Sequence, residues 1–292
     1  VLRKLFAFLL TAAALGAAVF FHQPILELSD THLRLQESAV LVREGKLHEA
    51  HGILLEGVRL YPKNRDLLLQ LAKVSQQVFP ERTNQWYEKL LQQAPQHTEG
   101  RMAYGRWLLG QPNGHNAAAH QFWLGLKETK DKTAFLISLG DVYQMAATHP
   151  DETREKTRQW LYRWALYYYQ YAAKQQPQSN DIDLRLGEVA LALHQSEKAA
   201  SAFCNVVERK PHLPNPRFNL GMALLQLGFI EAGTAQVHLA NDLLMAEGHT
   251  ELARQQALMA QSVRSGAIPT RAPLPTEWAD RCLSAKSGKK PE

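Results

Sequence analysis

Small and large apolar side chains recur along this chain with a period of about 34 residues. Leu186-Gly187 and Leu220-Gly221 lie 34 residues apart, and each glycine is followed at offsets of 12 and 16 by a small and then a larger residue: Ala199 and Phe203 in one case, Gly233 and Val237 in the other. Traced backwards, the small position reads Ser38, Ala72, Gly105 and Gly140, and the intervals up to Gly221 are 34, 33, 35, 47 and 34. A period of this length marks one supersecondary unit that buries its apolar face against copies of itself. The pattern predicts a helix–turn–helix in each copy. A small residue in the middle of the first helix lets the second cross it closely, and the large residue fills the space beside the crossing. Pro62, Pro95, Pro177 and Pro211 fall where the second helix must stop, because proline lacks the N–H and clashes with the preceding turn. Gly45, Gly228 and the run Gly110-Gln-Pro-Asn-Gly114 mark turns.

Six copies are expected over residues 31–248. The long interval places 13 extra residues between Tyr143 and Ala165, an insertion near 144–160, after which the pattern resumes with Ala165, Tyr169 and Ala172. Residues 249–265 read as one more amphipathic helix, placed to cap the last layer with a polar outer face. Residues 266–292 hold Pro269, Pro273, Pro275 and Pro291 with a basic end, and read as an irregular tail.

At the other end, Arg3 and Lys4 precede an uncharged run, Leu5 to Phe21, before a linker at 24–30. Seventeen residues make roughly 25 Å of helix, slightly short of the ~30 Å hydrocarbon core, and Arg3 and Lys4 lengthen it by snorkelling. Residues 1–23 are therefore expected to be a single-pass membrane anchor, since Val19-Phe20-Phe21-His22 offers no small-x-small cleavage site. Processing at the small residues Ala14 to Ala18 is the alternative. Basic residues stay on the cytoplasmic side, which puts the repeats outside the cytoplasm. Val1 fits an alternative start codon and hence a bacterial source, with the array in the periplasm.

Leu-Gly, the small and large residues and the closing proline at period 34 resemble the tetratricopeptide repeat. The resemblance implies an all-α, right-handed superhelical solenoid of about six units whose first helices line an inner groove. The apolar row three positions before each small residue is Leu35, Leu69, Met102, Ile137, Leu184 and Phe218. Repeats of this kind that clamp carboxylate tails carry Lys or Asn at set groove positions, and this row has neither. A groove made of Leu69, Met102, Ile137, Leu184 and Phe218, flanked by Lys73 and Arg106, suits an amphipathic or extended segment of a protein. The resemblance implies a non-enzymatic scaffold for protein or peptide partners that assists assembly of an envelope complex. The alternative is a metal- or haem-handling assembly factor, for example in cytochrome maturation.

Residues 160–171 hold seven aromatic side chains. Trp160, Trp164, Tyr167 and Tyr171 form one helical stripe, and Tyr162 and Tyr169 lie on another. One stripe is expected in the core. The other, with Tyr162, Tyr168 and Tyr169 as its candidates, is the second expected partner-binding surface.

Composition and charge narrow the function classes. The 292 residues carry a net charge of +5, but the two ends supply most of it through Arg3, Lys4, Arg271, Arg281, Lys286, Lys289 and Lys290. The body is close to neutral, and a nucleic-acid partner is not expected. Cys204 and Cys282 do not make a disulfide framework or a metal site by spacing. His48 and His51, with Glu44 one turn earlier, would place two imidazoles on one helix face, but no motif supplies further ligands. They read as polar residues on a solvated face. No nucleophile, acid–base pair or phosphate loop is evident, so no cofactor and no catalytic activity are expected.

Overall fold

The computed structural model describes residues 27–150 and 152–266, and among these every element is helical. The chain divides into two compact units that meet at Glu128 and Thr129. The first unit contains α1 (27–43), α2 (Leu47–Leu60), α3 (Arg65–Val78), a single 3-10 turn at Pro80–Arg82, α4 (Thr83–Gln93), α5 (Thr98–Leu109) and α6 (His115–Glu128). The second contains α7 (Thr133–Thr148), α8 (Glu155–Gln175), α9 (Asn180–Ala192), α10 (Ser196–Arg209), α11 (Pro214–Gln226), α12 (Ile230–Ala246) and α13 (Thr250–Gly266). In the second unit each helix packs on the next, and α11 also reaches α9 and α13. The residues expected to form a membrane anchor lie outside those described. Among the described residues no helix is long and apolar enough to cross a membrane.

Two kinds of turn recur, and each has a local cause. Within the pairs α1/α2, α9/α10 and α11/α12 the chain closes with a residue in the left-handed region, Gly45 (φ 77), His194 (φ 55) and Gly228 (φ 83), and Gly248 (φ 84) does the same between α12 and α13. The bonding is the same each time. Lys46 N–H reaches Leu41 O at 2.8 Å, Gln195 N–H reaches Ala190 O at 2.8 Å and Phe229 N–H reaches Leu224 O at 2.9 Å. These bonds satisfy carbonyls that the helix end leaves open. Between pairs, the residue before each of these prolines has left the helical region: Tyr61 (ψ 69), Ala94 (ψ 76), Gln176 (ψ 76) and Lys210 (ψ 67). Proline forces this on its predecessor and so ends the helix there. Side chains then start some of the following helices: Asn64 Oδ1 accepts from Leu67 N–H at 3.1 Å, and His97 Nδ1 accepts from Gly100 N–H at 3.0 Å.

His194 stands 34 residues before Gly228, at the turn position where the first and last copies have Gly45 and Gly228. A side chain in this conformation is strained, and glycine relieves it. His194→Gly is expected to raise stability by up to about 1 kcal/mol, read as an increase in the urea midpoint at unchanged slope. A lower midpoint would show that the turn is not strained.

The small positions work as close crossings. A Cβ added to Gly105 would lie 2.3 Å from the Phe122 ring, one added to Gly140 2.3 Å from the Tyr169 ring, and one added to Gly187 2.6 Å from the Phe203 ring. Phe122, Tyr169 and Phe203 are all fully buried. Each aromatic ring thus occupies the space that the missing side chain leaves. In the long fourth copy the extra residues lengthen the two helices, α7 to 16 residues and α8 to 21, in addition to a connection at 149–154. Most of the insertion is therefore helix, and α8 extends its aromatic face.

Other contacts depart from the sequence expectation. His51 is not on a solvated face: it is 5% exposed, its ring lies 4.7 Å from that of Phe79, and burial, followed by nearby Arg82 and His48, lowers its pKa. Two leucines and a methionine of α13 (Leu252, Leu258 and Met259) are exposed, so its outer face is not uniformly polar. Cys204 is buried in the core of the second unit and is disulfide-bonded. The chain's other cysteine, Cys282, lies outside the described residues.

Candidate interaction surface

The apolar row expected to line a groove is mostly used up by packing. In the first unit Leu69 is 2% exposed and Met102 is half-buried. In the second, Phe218 is 7% exposed and belongs to the core between α11, α12 and α13. Ile137 packs on the cluster around Tyr169, and Leu184 on the cluster around Phe203. Helix faces that pack on two sides leave little of such a row to a partner. Of the flanking charges, Lys73 is bonded to Glu99 at 2.7 Å, and Arg106 is exposed. The recess among α11, α12 and α13 has a volume of about 300 Å³ and is lined by Leu225, Val237, Asn241 and Arg264 among others. It is at the small end of ligand-binding cavities.

The aromatic helix inverts the expected assignment of its stripes. Tyr169, one of the expected contact residues, is fully buried between α7 and α8 with Ala165 and Ala172 beside it. Its hydroxyl donates to Asp141 Oδ1 at 2.7 Å and lies 2.8 Å from Gln144 Oε1. Burial, followed by the adjacent Asp141, raises its pKa. Tyr162 is half-buried on the same cluster. The stripe expected in the core faces outward instead: Trp160 is 53% exposed, Trp164 37%, Tyr167 54% and Tyr171 40%. The reason is register. Ala165, Tyr169 and Ala172 hold the small and large positions of the repeat, and the close approach to Gly140 needs that face of α8 inward.

The outward rings form a connected ladder across α7 and α8. Tyr143 stacks on Tyr168 (5.6 Å between centroids, 14° between planes) and on Trp164 (6.1 Å, 25°). Trp164 meets Trp160 edge-on at 6.0 Å and Tyr167 at 5.7 Å. Tyr167 meets Tyr168 at 5.4 Å. These are the offset and edge-to-face geometries that aromatic quadrupoles favour. Burial, with Tyr143 and Tyr167 alongside, raises the Tyr168 phenol above its usual value. The ladder holds its rings in fixed positions, so a partner that docks on it has little side-chain entropy to overcome. Tyr143, Trp160, Trp164, Tyr167 and Tyr171 were not among the expected contact residues. The repeat register, which already put Tyr169 at a core position, was the signal that separates them.

Among the described residues no group of three or more His, Cys, Asp or Glu is placed to hold a metal ion. His51 in particular is buried against Phe79, where it cannot share a solvated face with His48.

No family model matches the chain, and no curated protein matches it in sequence. Solved structures do match. PilF of Pseudomonas aeruginosa is 14% identical, with 82% of this chain and 95% of that one covered at a TM-score of 0.55. PilW, described as a widely conserved type IV pilus biogenesis factor, is 16% identical, with 79% and 92% covered at 0.52. YrrB, described as a TPR protein with an unusual peptide-binding site, is 16% identical, with 69% and 97% covered at 0.54. Identities this low establish architecture alone, and they agree with the period, the glycine crossings and the proline-ended helix pairs: this chain has the tetratricopeptide-repeat fold.

Proposed function

We propose that the chain is a non-enzymatic protein–protein interaction scaffold, held to a bacterial inner membrane through residues 1–23 with its repeats on the periplasmic side, and that it assists assembly of an envelope complex. The observation that carries the interaction is the ladder on α7 and α8, where rings of Tyr143, Trp160, Trp164, Tyr167 and Tyr168 touch one another, and Trp160, Trp164 and Tyr167 stay exposed with Tyr171 further along the same face. Interface hot spots are enriched in Trp and Tyr, and an exposed apolar cluster of this kind marks a contact surface. The reading is supported by structural neighbours described as a pilus biogenesis factor and as a peptide-binding TPR protein. The anchor rests on the uncharged run from Leu5 to Phe21 behind Arg3 and Lys4.

In cells, a photo-crosslinking residue placed at position 167 of the full chain is expected to give a discrete protein adduct. Trp164→Ala should weaken binding of that protein by about 2 kcal/mol or more, about thirtyfold, with the melting temperature of the scaffold nearly unchanged. An affinity that survives both Trp164→Ala and Trp160→Ala with the fold intact would remove the ladder as the contact surface. The anchor is checked separately. The full chain should sediment with membranes and resist release by high salt, whereas a chain lacking 1–23 should stay in solution.

A further inference from the structure

Tryptophan and tyrosine make a surface adhesive without saying to what, so charge has to select the partner. On α8, 100° of rotation per residue places Trp160, Trp164, Tyr167 and Tyr171 within about 60° of one another, and Lys156, Arg163 and Lys174 side by side along one edge of that stripe. All three cations are exposed. None of them has an ion-pair or hydrogen-bond partner among the described residues. From Lys156 to Gln175 the chain contains no Asp or Glu. The carboxylates nearby are already engaged: Glu155 with Arg158, Glu152 with Arg154, and Asp141, the one acidic residue of α7, with Arg185 and Tyr169. The aromatic face is thus bordered by positive charge that nothing among the described residues neutralises.

We infer that the segment docking on the ladder is an acidic stretch of another protein, laid lengthwise along α8 with its carboxylates against Lys156, Arg163 and Lys174 and its apolar side chains on the rings. The inference rests on the ladder being a contact surface and adds the chemistry of what it takes. Lys156 and Lys174 are about 27 Å apart along the helix, which matches an extended segment of about eight residues or about five turns of helix. The other anionic partners fit less well. A bilayer surface takes up a face of Trp, Phe and Leu, and the exposed stripe of α8 has neither Phe nor Leu. Single-stranded nucleic acid calls for open ring faces on which bases stack, and here the faces of Tyr143 and Tyr168 are turned on each other and on Trp164.

The test uses the full chain in cells with the crosslinking residue at 167, and reads the sequence of the adducted peptide. The expected adduct is a protein segment with a clear excess of Asp and Glu within about ten residues. The triple variant Lys156→Glu, Arg163→Glu, Lys174→Glu, with its melting temperature checked, should lower the yield at least tenfold. A synthetic peptide of the adducted segment should bind the purified chain at least tenfold more weakly in 0.5 M than in 0.05 M salt. An adducted protein segment that is neutral or basic, or a yield indifferent to charge reversal, overturns the inference while leaving the ladder as a contact surface. A lipid or nucleic-acid adduct, or no adduct, overturns both.

Discussion

Tyr169→Ala is expected to destabilise the second unit by about 3–5 kcal/mol, the range for losing a large aromatic side chain from a core that does not collapse around the gap. Tyr169 is fully buried, its ring lies over Gly140, and its hydroxyl bonds Asp141. Asp141 keeps Arg185 at 2.7 Å as a partner, so most of the loss comes from packing. Tyr169→Phe isolates the rest: it removes one bond to a charged acceptor, worth about 1.5–3 kcal/mol, and leaves the ring in place. Tyr167→Ala, two positions away on the exposed face, should cost well under 1 kcal/mol, in the range of ordinary surface changes, while impairing binding. Urea melts of the three variants decide the matter. A loss below about 1 kcal/mol for Tyr169→Ala, or a greater loss for Tyr167→Ala, would mean that the faces of α8 are assigned the wrong way round.

Gly221 is expected to tolerate substitution least among the small positions, because backbone meets backbone there. A Cβ on Gly221 would lie 2.8 Å from the carbonyl oxygen of Gly233 and 2.7 Å from Val237 Cγ2, and one on Gly233 would lie 2.9 Å from the carbonyl oxygen of Gly221 and from Leu225 N. Neither neighbour is the free end of a flexible side chain. Relief requires α11 and α12 to separate, which exposes part of the core they share with α13. Overpacking of this kind costs about 1–3 kcal/mol and sometimes more. We expect Gly221→Ala near the middle of that range and Gly221→Leu at or above its top. Gly52→Ala on α2 is the control: nothing lies within 4 Å of its added Cβ, so the change should stabilise by about 0.5–1 kcal/mol through helix propensity. Gly221→Ala melting with the wild type would refute the close crossing.

Much of the fold could be read before any coordinates because its causes are local. Proline at 62, 95, 177 and 211 acts on the residue before it wherever the chain lies. A glycine 16 residues ahead of a larger side chain recurs in the last two copies, so Gly187 with Phe203 and Gly221 with Val237 could be paired from spacing alone, whereas Gly105 meets Phe122 at 17 and Gly140 meets Tyr169 at 29. The insertion was visible as a long interval, but its conversion into a longer α7 and α8 was not, since length alone does not distinguish loop from helix.

What the sequence by itself determined, then, was periodicity: where helices start, stop and cross, and therefore the repeat. What only the tertiary structure decided was which of several competent faces is turned inward. In α8 two stripes are aromatic, and hydrophobicity cannot rank them. The Gly140 crossing selects the face of Tyr169 and leaves Trp160, Trp164, Tyr167 and Tyr171 to solvent. The same selection buries Leu69 and Phe218, which from spacing alone looked available to a partner, and turns His51 onto Phe79. A helix carries its side chains all round, and only the neighbours packed against it set the exposure of each one.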